Sequence, residues 1–250
     1  VGVKGWTAPD CGGGSSQGAV PHRGAGTRVA DIVNERDTPV CPATATLAVA
    51  AAMLMSSGRT SAVVVAEDGS PEAVLTENDF LEAYEAGTPS DLPVEAWLQT
   101  GRARLPGYAL EALSVSPSAS LLEAAAQMRA QAGSDFAARH LLVREAEGGP
   151  AHGVLSALDL ARALCGTAVA ELVRGRRVGQ AMKTRQTLPA VAATASLDEA
   201  FRALVASRQN CVLLADEKQQ GPGVLDVVTP RDVLWAFVAG LPRDTPARAW

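Results

Sequence analysis

The sequence predicts an α/β (α+β) chain made of three helix–strand–strand–helix repeats, two of them paired through their sheets. Three observations predict it. One order of apolar runs, turns and helix-start signals occurs three times at a near-constant interval. Within each copy, short Val/Leu runs alternate with stretches of helical three-and-four spacing. Finally, one copy has two helices and a small sheet, too little to bury a core alone, so copies must stack.

Each copy opens with Val-x-x-apolar-apolar, at 29–33, 94–98 and 178–182, which reads as a short extended lead-in. Helix-start signals follow at Thr46-Leu47, Ser120-Leu121 and Ser196-Leu197. In the second and third copies Glu123 and Glu199 stand three residues on and complete capping boxes. The first helices then keep apolar residues in register: Leu47, Ala50, Leu54; Leu121, Ala124, Met128; Leu197, Ala200, Leu204. A Val/Leu run comes next at 62–65, 140–143 and 211–214. An acidic Gly-containing turn follows at 67–69, 147–149 and 216–221, then a second apolar run that ends in a hydroxyl at Thr76, Ser156 or Thr229. Two apolar runs around a Gly turn predict a hairpin. The hydroxyl then starts a second helix, with Pro230 at a first position where a missing N–H costs nothing. The helix starts at 46, 120 and 196 lie 74 and 76 residues apart, the second copy carrying an insertion that includes Gly101 and Gly107. The expected organisation is a flexible Gly/Ser-rich arm (1–27), repeats at 28–87, 88–170 and 171–240, and a tail (241–250).

Composition narrows the function classes. Hydrophobic residues make up 47% and charged residues 20%, a normal balance for a folded chain. The net charge of −5 and the absence of a Lys/Arg block argue against nucleic acid as a partner. The most apolar run, 47–55, is half of what a membrane crossing needs, so the chain is read as soluble and not membrane-spanning. Cys11, Cys41, Cys165 and Cys211 are scattered, as are His22, His140 and His152. Neither a disulfide scaffold nor a metal site is expected, and idle thiols suit an intracellular protein. The first residue is Val1, which fits a cleaved leader and an organelle such as a plastid or mitochondrion. No nucleophile elbow, phosphate-cradling Gly-x-x-x-x-Gly-Lys loop or His-Glu-x-x-His occurs, and no catalytic residues are assigned.

The order Val-x-x-apolar, Thr/Ser-Leu-x-Glu-Ala, Val-rich strand, Asp-Gly turn, Gly-apolar-apolar-Thr/Ser-x-x-Asp resembles the cystathionine β-synthase (CBS) domain over residues 28–240. The resemblance implies a regulatory, non-catalytic module whose units pair through their sheets. It requires no cofactor and implies AMP, ADP, ATP or S-adenosylmethionine as a regulatory ligand in a cleft. Carried over residue by residue, ribose and phosphate contacts fall on Thr76 and Asp79, Ser156 and Asp159, and Thr229 and Asp232. Arg231 takes the place of a phosphate-pairing base, and Gly153 that of a glycine letting the backbone approach the ligand. The chain departs from the pattern at Ala73 and Asp226, which replace that glycine in the first and third copies, and no Pro breaks the middle strands. Asp226 sets a negative charge where a phosphate would lie.

Plainer readings stand beside these. A Thr/Ser cap with an acid at the third helical position satisfies free N–H groups and contributes about 1 kcal/mol with no ligand at all. Arg102 and Arg104 read as solvated, Trp97 and Trp235 as core or interface residues, Cys211 as a small buried hydrophobe on a strand, and His140 as a surface or edge residue. The odd number of copies leaves one without a mate. Units one and two most simply pair within the chain, joined through 88–93, and the third unit's sheet face is then expected to meet its own copy in a homodimer or a target protein. Alternatively units two and three pair and leave the first for the partner. The reading that follows is a regulator that binds an adenine nucleotide and modulates a partner. The alternative is a ligand-free accessory subunit that uses the repeats as an interaction scaffold.

Overall fold

The computed structural model describes residues 26–33, 38–100, 110, 113–131, 139–145, 149–164, 175–182, 188–207, 209–216 and 223–249. The arm at 1–25 with Trp6, the insertion with Arg102 and Arg104, the turn residues Gly148 and Gly221, Cys11 and Cys165 lie outside them.

The first unit comprises α1 (Ala30–Val33), β1 (Val40–Pro42), α2 (Leu47–Ser57), β2 (Ser61–Val65), β3 (Pro71–Thr76) and α3 (Glu77–Glu85). The second comprises α4 (Val94–Leu98), β4 (Ser114–Val115), α5 (Leu121–Gln131), β5 (His140–Arg144), β6 (Ala151–Ser156) and α6 (Ala157–Leu164). The third repeats the order with α7 (Val178–Ala181), β7 (Ala190–Ala192), α8 (Leu197–Ser207), β8 (Val212–Ala215), β9 (Val224–Val228) and α9 (Pro230–Ala239). Each unit holds one three-stranded sheet whose first strand runs parallel to the middle one and whose last two form an antiparallel hairpin.

Two expectations need correction. The lead-ins are one-turn helices, not extended segments, because Val-x-x-apolar spacing is helical spacing. The sheets also gain a strand that the sequence reading did not see: β1, β4 and β7 have two or three residues, too few for a period of two to show. The capping signals behave as expected. Ser120 N donates to Glu123 Oε2 at 2.7 Å while Glu123 N donates to Ser120 Oγ at 3.2 Å. Ser196 and Glu199 repeat that exchange at 2.8 and 3.2 Å.

Three apolar clusters join the units. Val63, Leu142 and Val154 bury the contact between the first two sheets, with Val65, Val74 and Ala151 around them. Units one and two are therefore the sheet pair. The third unit attaches differently: α2 and α3 pack against α8 and α9 in one shared core. There Phe80 meets Phe237 edge-on at 5.9 Å, and Tyr84 meets Phe201 at 5.0 Å. A last cluster, around Leu121, Leu141 and Leu155, belongs to unit two and takes in Val29, Ile32 and Val33 from α1.

That last membership reflects an exchange. Val29 N donates to Ala119 O at 2.9 Å, placing α1 on unit two, while Val94 N donates to Ala45 O at 2.8 Å, placing α4 on unit one. The α4 segment also satisfies helix N–H groups that a helix cannot satisfy itself: Leu47 N reaches Leu92 O and Ala48 N reaches Ser90 O. On unit three the same place is taken by the C-terminal segment. Ala247 N donates to Ala195 O, Leu197 N to Thr245 O, and Ser196 bridges Pro246, as Thr46 bridges Pro93.

Trp97 is buried in the shared core, but Trp235 is about half exposed, on the outer side of α9. It is not a core residue, since the helical spacing that buries Val233, Leu234 and Phe237 turns it outward. Cys211 precedes β8 and is only half-buried.

Candidate functional site

The second helix of each unit starts with a hydroxyl residue whose partner acid lies one turn on. Asp79 Oδ2 accepts from Thr76 N at 2.6 Å and from Thr76 Oγ1 at 2.7 Å. Asp159 Oδ2 accepts from Ser156 N at 3.1 Å and Ser156 Oγ at 2.7 Å, and Asp159 N donates back to Ser156 Oγ at 3.1 Å. Asp232 Oδ2 accepts from Thr229 N at 2.7 Å and Oγ1 at 2.8 Å. The cap role of all three Thr/Ser-x-x-Asp sets is therefore a property of the fold.

Two cavities adjoin these caps. The smaller, about 100 Å³, lies between units one and two. Ile32, Val33 and Val154 give it an apolar wall, and Ser156, Asp159, Arg59 and Arg162 a polar one. The larger, about 340 Å³, lies where the N-termini of α3, α6 and α9 converge. Thr76, Ser156, Thr229, Arg139, His140 and Arg231 are among its lining residues. Three helix N-termini and the side chains of Arg139 and Arg231 line this space together with the Glu77 carboxyl, so its basic groups are partly balanced within the chain. Thr60, Ser156 and Leu158 line both cavities, so the two are neighbours across α6's first turn.

Of the residues singled out from sequence, Thr76, Ser156, Thr229 and Arg231 thus share the larger cavity, and Asp159 lines the smaller. Asp79 and Asp232 line neither cavity; each holds its own cap. Arg231 is engaged already: its Nη1 donates to Glu77 Oε1 at 2.8 Å, linking units three and one. Burial pushes the Glu77 carboxyl up, and Arg231 works against that push. Gly153 sits at φ 146°, and a Cβ there would lie 2.6 Å from Val33 Cγ1 and 2.7 Å from Thr38 Oγ1. The close approach at Gly153 is thus made by the crossing segment of unit one.

His140 corrects the sequence reading. It lies on β5, the middle strand of its sheet, rather than at an edge, and its Nε2 is 3.0 Å from Thr60 Oγ1 of unit one. Burial, helped by the neighbouring Arg139 charge, pulls its pKa down to about 4, so the ring is neutral at pH 7. Thr38, Arg59, Thr60, Arg139 and Arg162 were also missed. No motif marks them: Thr38, Arg59 and Thr60 reach the Ser156 and Asp159 cap from unit one, Arg162 stands one turn beyond that cap on α6, and only Arg139, next to a predicted strand, had a positional signal. Among the described residues no group of three or more His, Cys, Asp or Glu side chains is placed to hold a metal, and no helix is long and apolar enough to cross a membrane.

The family model for the CBS domain matches residues 29–86 and 110–166. Among solved structures, protein MJ1225 from Methanocaldococcus jannaschii superimposes with a TM-score of 0.65 at 13% identity, covering 89% of this chain and 81% of its own, a likeness of fold. The CBS domain protein PAE2072 from Pyrobaculum aerophilum, solved in complex with AMP, is 26% identical over 58% of this chain and 96% of its own, with a TM-score of 0.44. The CBS-domain protein ATU1752 from Agrobacterium tumefaciens is 20% identical over 56% and 96%, with a TM-score of 0.43. No curated protein matches the sequence at a significant level.

Proposed function

Since two segments of this chain, 29–86 and 110–166, match the CBS-domain family model, we propose that it is a non-catalytic regulator of that family that binds an adenine nucleotide between its first two units and modulates a partner protein. The observation that carries the reading is the apolar cleft of Ile32, Val33 and Val154 opening beside Asp159 and next to the cavity of three helix N-termini. An adenine ring lies against the apolar wall. The ribose hydroxyls donate to Asp159, and the phosphates lie before α6, within the field of Arg139 and Arg231. At about 100 Å³ the cleft alone is small for a nucleotide, so the ligand spans both spaces and parts units one and two as it enters. That charge pattern favours AMP, ADP or ATP over S-adenosylmethionine, which brings a cation and no phosphate. Asp226 keeps the third unit unsuited to the same ligand.

A second reading, a ligand-free accessory scaffold, is favoured by one observation: Arg231 and the three cap acids already have partners within the chain. Calorimetric titration of the folded protein with AMP, ATP and S-adenosylmethionine separates the two. The regulator reading expects saturable heat with the phosphates and at least a tenfold weaker Kd in Asp159→Asn, which keeps the cap's acceptor oxygen. Absence of heat with all three leaves the scaffold.

A further inference from the structure

Around the larger cavity each unit meets each of the others through a polar contact. Arg231 Nη1 of unit three donates to Glu77 Oε1 of unit one at 2.8 Å, and His140 Nε2 of unit two lies 3.0 Å from Thr60 Oγ1 of unit one. Arg139 of unit two donates to Asn210 of unit three. All six residues line the same space of about 340 Å³.

The contact of Arg231 with Glu77 stands apart because it is an ion pair whose partners are placed unequally. Glu77 is the first residue of α3, where an acid agrees with the helix dipole. Arg231 lies in the first turn of α9, where a cation opposes it, so its compensation comes from outside its own helix. That compensation is Glu77, together with the carbonyls of Leu54 and Arg59 at 3.4 Å, within and just beyond the last turn of α2. The Glu77 side chain is 16% exposed and that of Arg231 35%, so the acid is the more enclosed partner and the cation the one a solute reaches first.

We propose that Glu77 is an internal competitor for the ligand: its carboxylate and a phosphate in the cavity contend for the Arg231 guanidinium, so that ligand binding is traded against the ion pair joining units three and one. This rests on the nucleotide reading above and names how that site is regulated. The N–H groups of a guanidinium are fixed in one plane, and a phosphate set beside the carboxylate adds like-charge repulsion, so one anion gains Nη1 at the other's expense. Burial already pushes the Glu77 carboxyl up, the mark of an ionised group that its ion pair does not fully compensate. Linkage then works both ways: whatever tightens the pair weakens the ligand, and a bound phosphate loosens unit three from unit one at this point. The edge-on contacts of Phe80 with Phe237 and Tyr84 with Phe201 keep unit three attached meanwhile, so the response is a change of angle between packed units.

Opposite substitutions test this, because each breaks the same ion pair. In calorimetric titration of the whole chain with AMP and ATP, Glu77→Gln is expected to bind about fivefold more tightly than wild type and Arg231→Gln about tenfold more weakly. Glu77→Asp keeps the charge but withdraws it by one methylene; it is expected to gain in the same direction and supplies the same readout should the glutamine variant fail to fold. An ion pair that serves attachment alone shifts the Glu77 and Arg231 variants the same way, and that result overturns the competition. Nucleotide binding to wild type with no gain in either Glu77 variant also overturns it, while leaving the nucleotide reading intact. Absence of binding in wild type and Glu77 variants alike overturns both.

Discussion

Units one and two on one side and unit three on the other share an element order but differ in what their sheets touch. In the pair, the middle-strand residues Val63 and Leu142 are sealed by each other's sheet. In the third unit the middle-strand counterpart Leu213 is buried as well, and the difference lies in β9, exposed at four of its five positions where Val74 and Val154 are half-buried or buried. The helices show the reverse: unit three is fastened to unit one through Phe80, Tyr84, Phe201 and Phe237, while α5 and α6 of unit two leave Leu122 and Leu158 exposed. The comparison teaches that strand sequence states a capacity to be buried, and the neighbour decides whether that capacity is used.

The largest effect expected from breaking this contrast comes at the sealed sheet. Val63→Asp places an unpaired carboxylate in the contact and should lower unfolding stability by about 3–5 kcal/mol, against less than about 0.5 for Val227→Asp. Denaturant unfolding of the two variants side by side checks it, and equal losses would refute the contrast. A middling effect is expected at Gly153. Gly153→Ala puts a Cβ against Val33 and Thr38 at a backbone angle that side chains avoid, at about 1–3 kcal/mol, whereas Asp226→Ala at the equivalent exposed position should be near neutral.

The smallest effect is one of pH. The folded ring of His140 titrates near 4 and a free histidine near 6.5, so the unfolded chain binds the proton first. Stability from this residue is complete above pH 6.5 and is lost as pH falls from 6.5 toward 4. His140→Gln should flatten that slope. Glu77, raised by burial, acts with the opposite sign as pH rises past its ordinary value, and its contribution cancels in the difference between wild type and variant. An unchanged slope in His140→Gln would place the ring in water instead.

Much of this architecture was legible in the residues. The capping boxes at Ser120 and Ser196, the hairpins, and the recurrence of Leu47-Ala50-Leu54 spacing are local, and local signals survive in a single chain. Elements of two or three residues such as β4 carry no period to read. Nor does spacing reveal that α1 belongs to unit two, because that assignment is made by backbone groups of Pro117 and Ala119, some ninety residues on. The candidate site divides the same way. Its caps are sequence-local and were found; Thr38, Thr60 and Arg59, which come from the opposite unit, acquire their role only when two sheets meet. His140 misled for a related reason, since neither composition nor neighbours in sequence tell which side of an element faces inward, and Trp235, read as core or interface, is on an exposed face.

The crossing of α1 and α4 has a practical corollary for dissecting the molecule. Cutting the polypeptide between the first two repeats severs each from a piece that completes it: the first loses the backbone carbonyls of Ser90 and Leu92 that cover the start of α2, and the second loses Val29, Ile32 and Val33 from its interior. A piece running from Arg28 to the end of α6 keeps that exchange but uncovers Phe80 and Tyr84, which unit three buries, so the two halves are inseparable by scissors even though a family profile counts them as two.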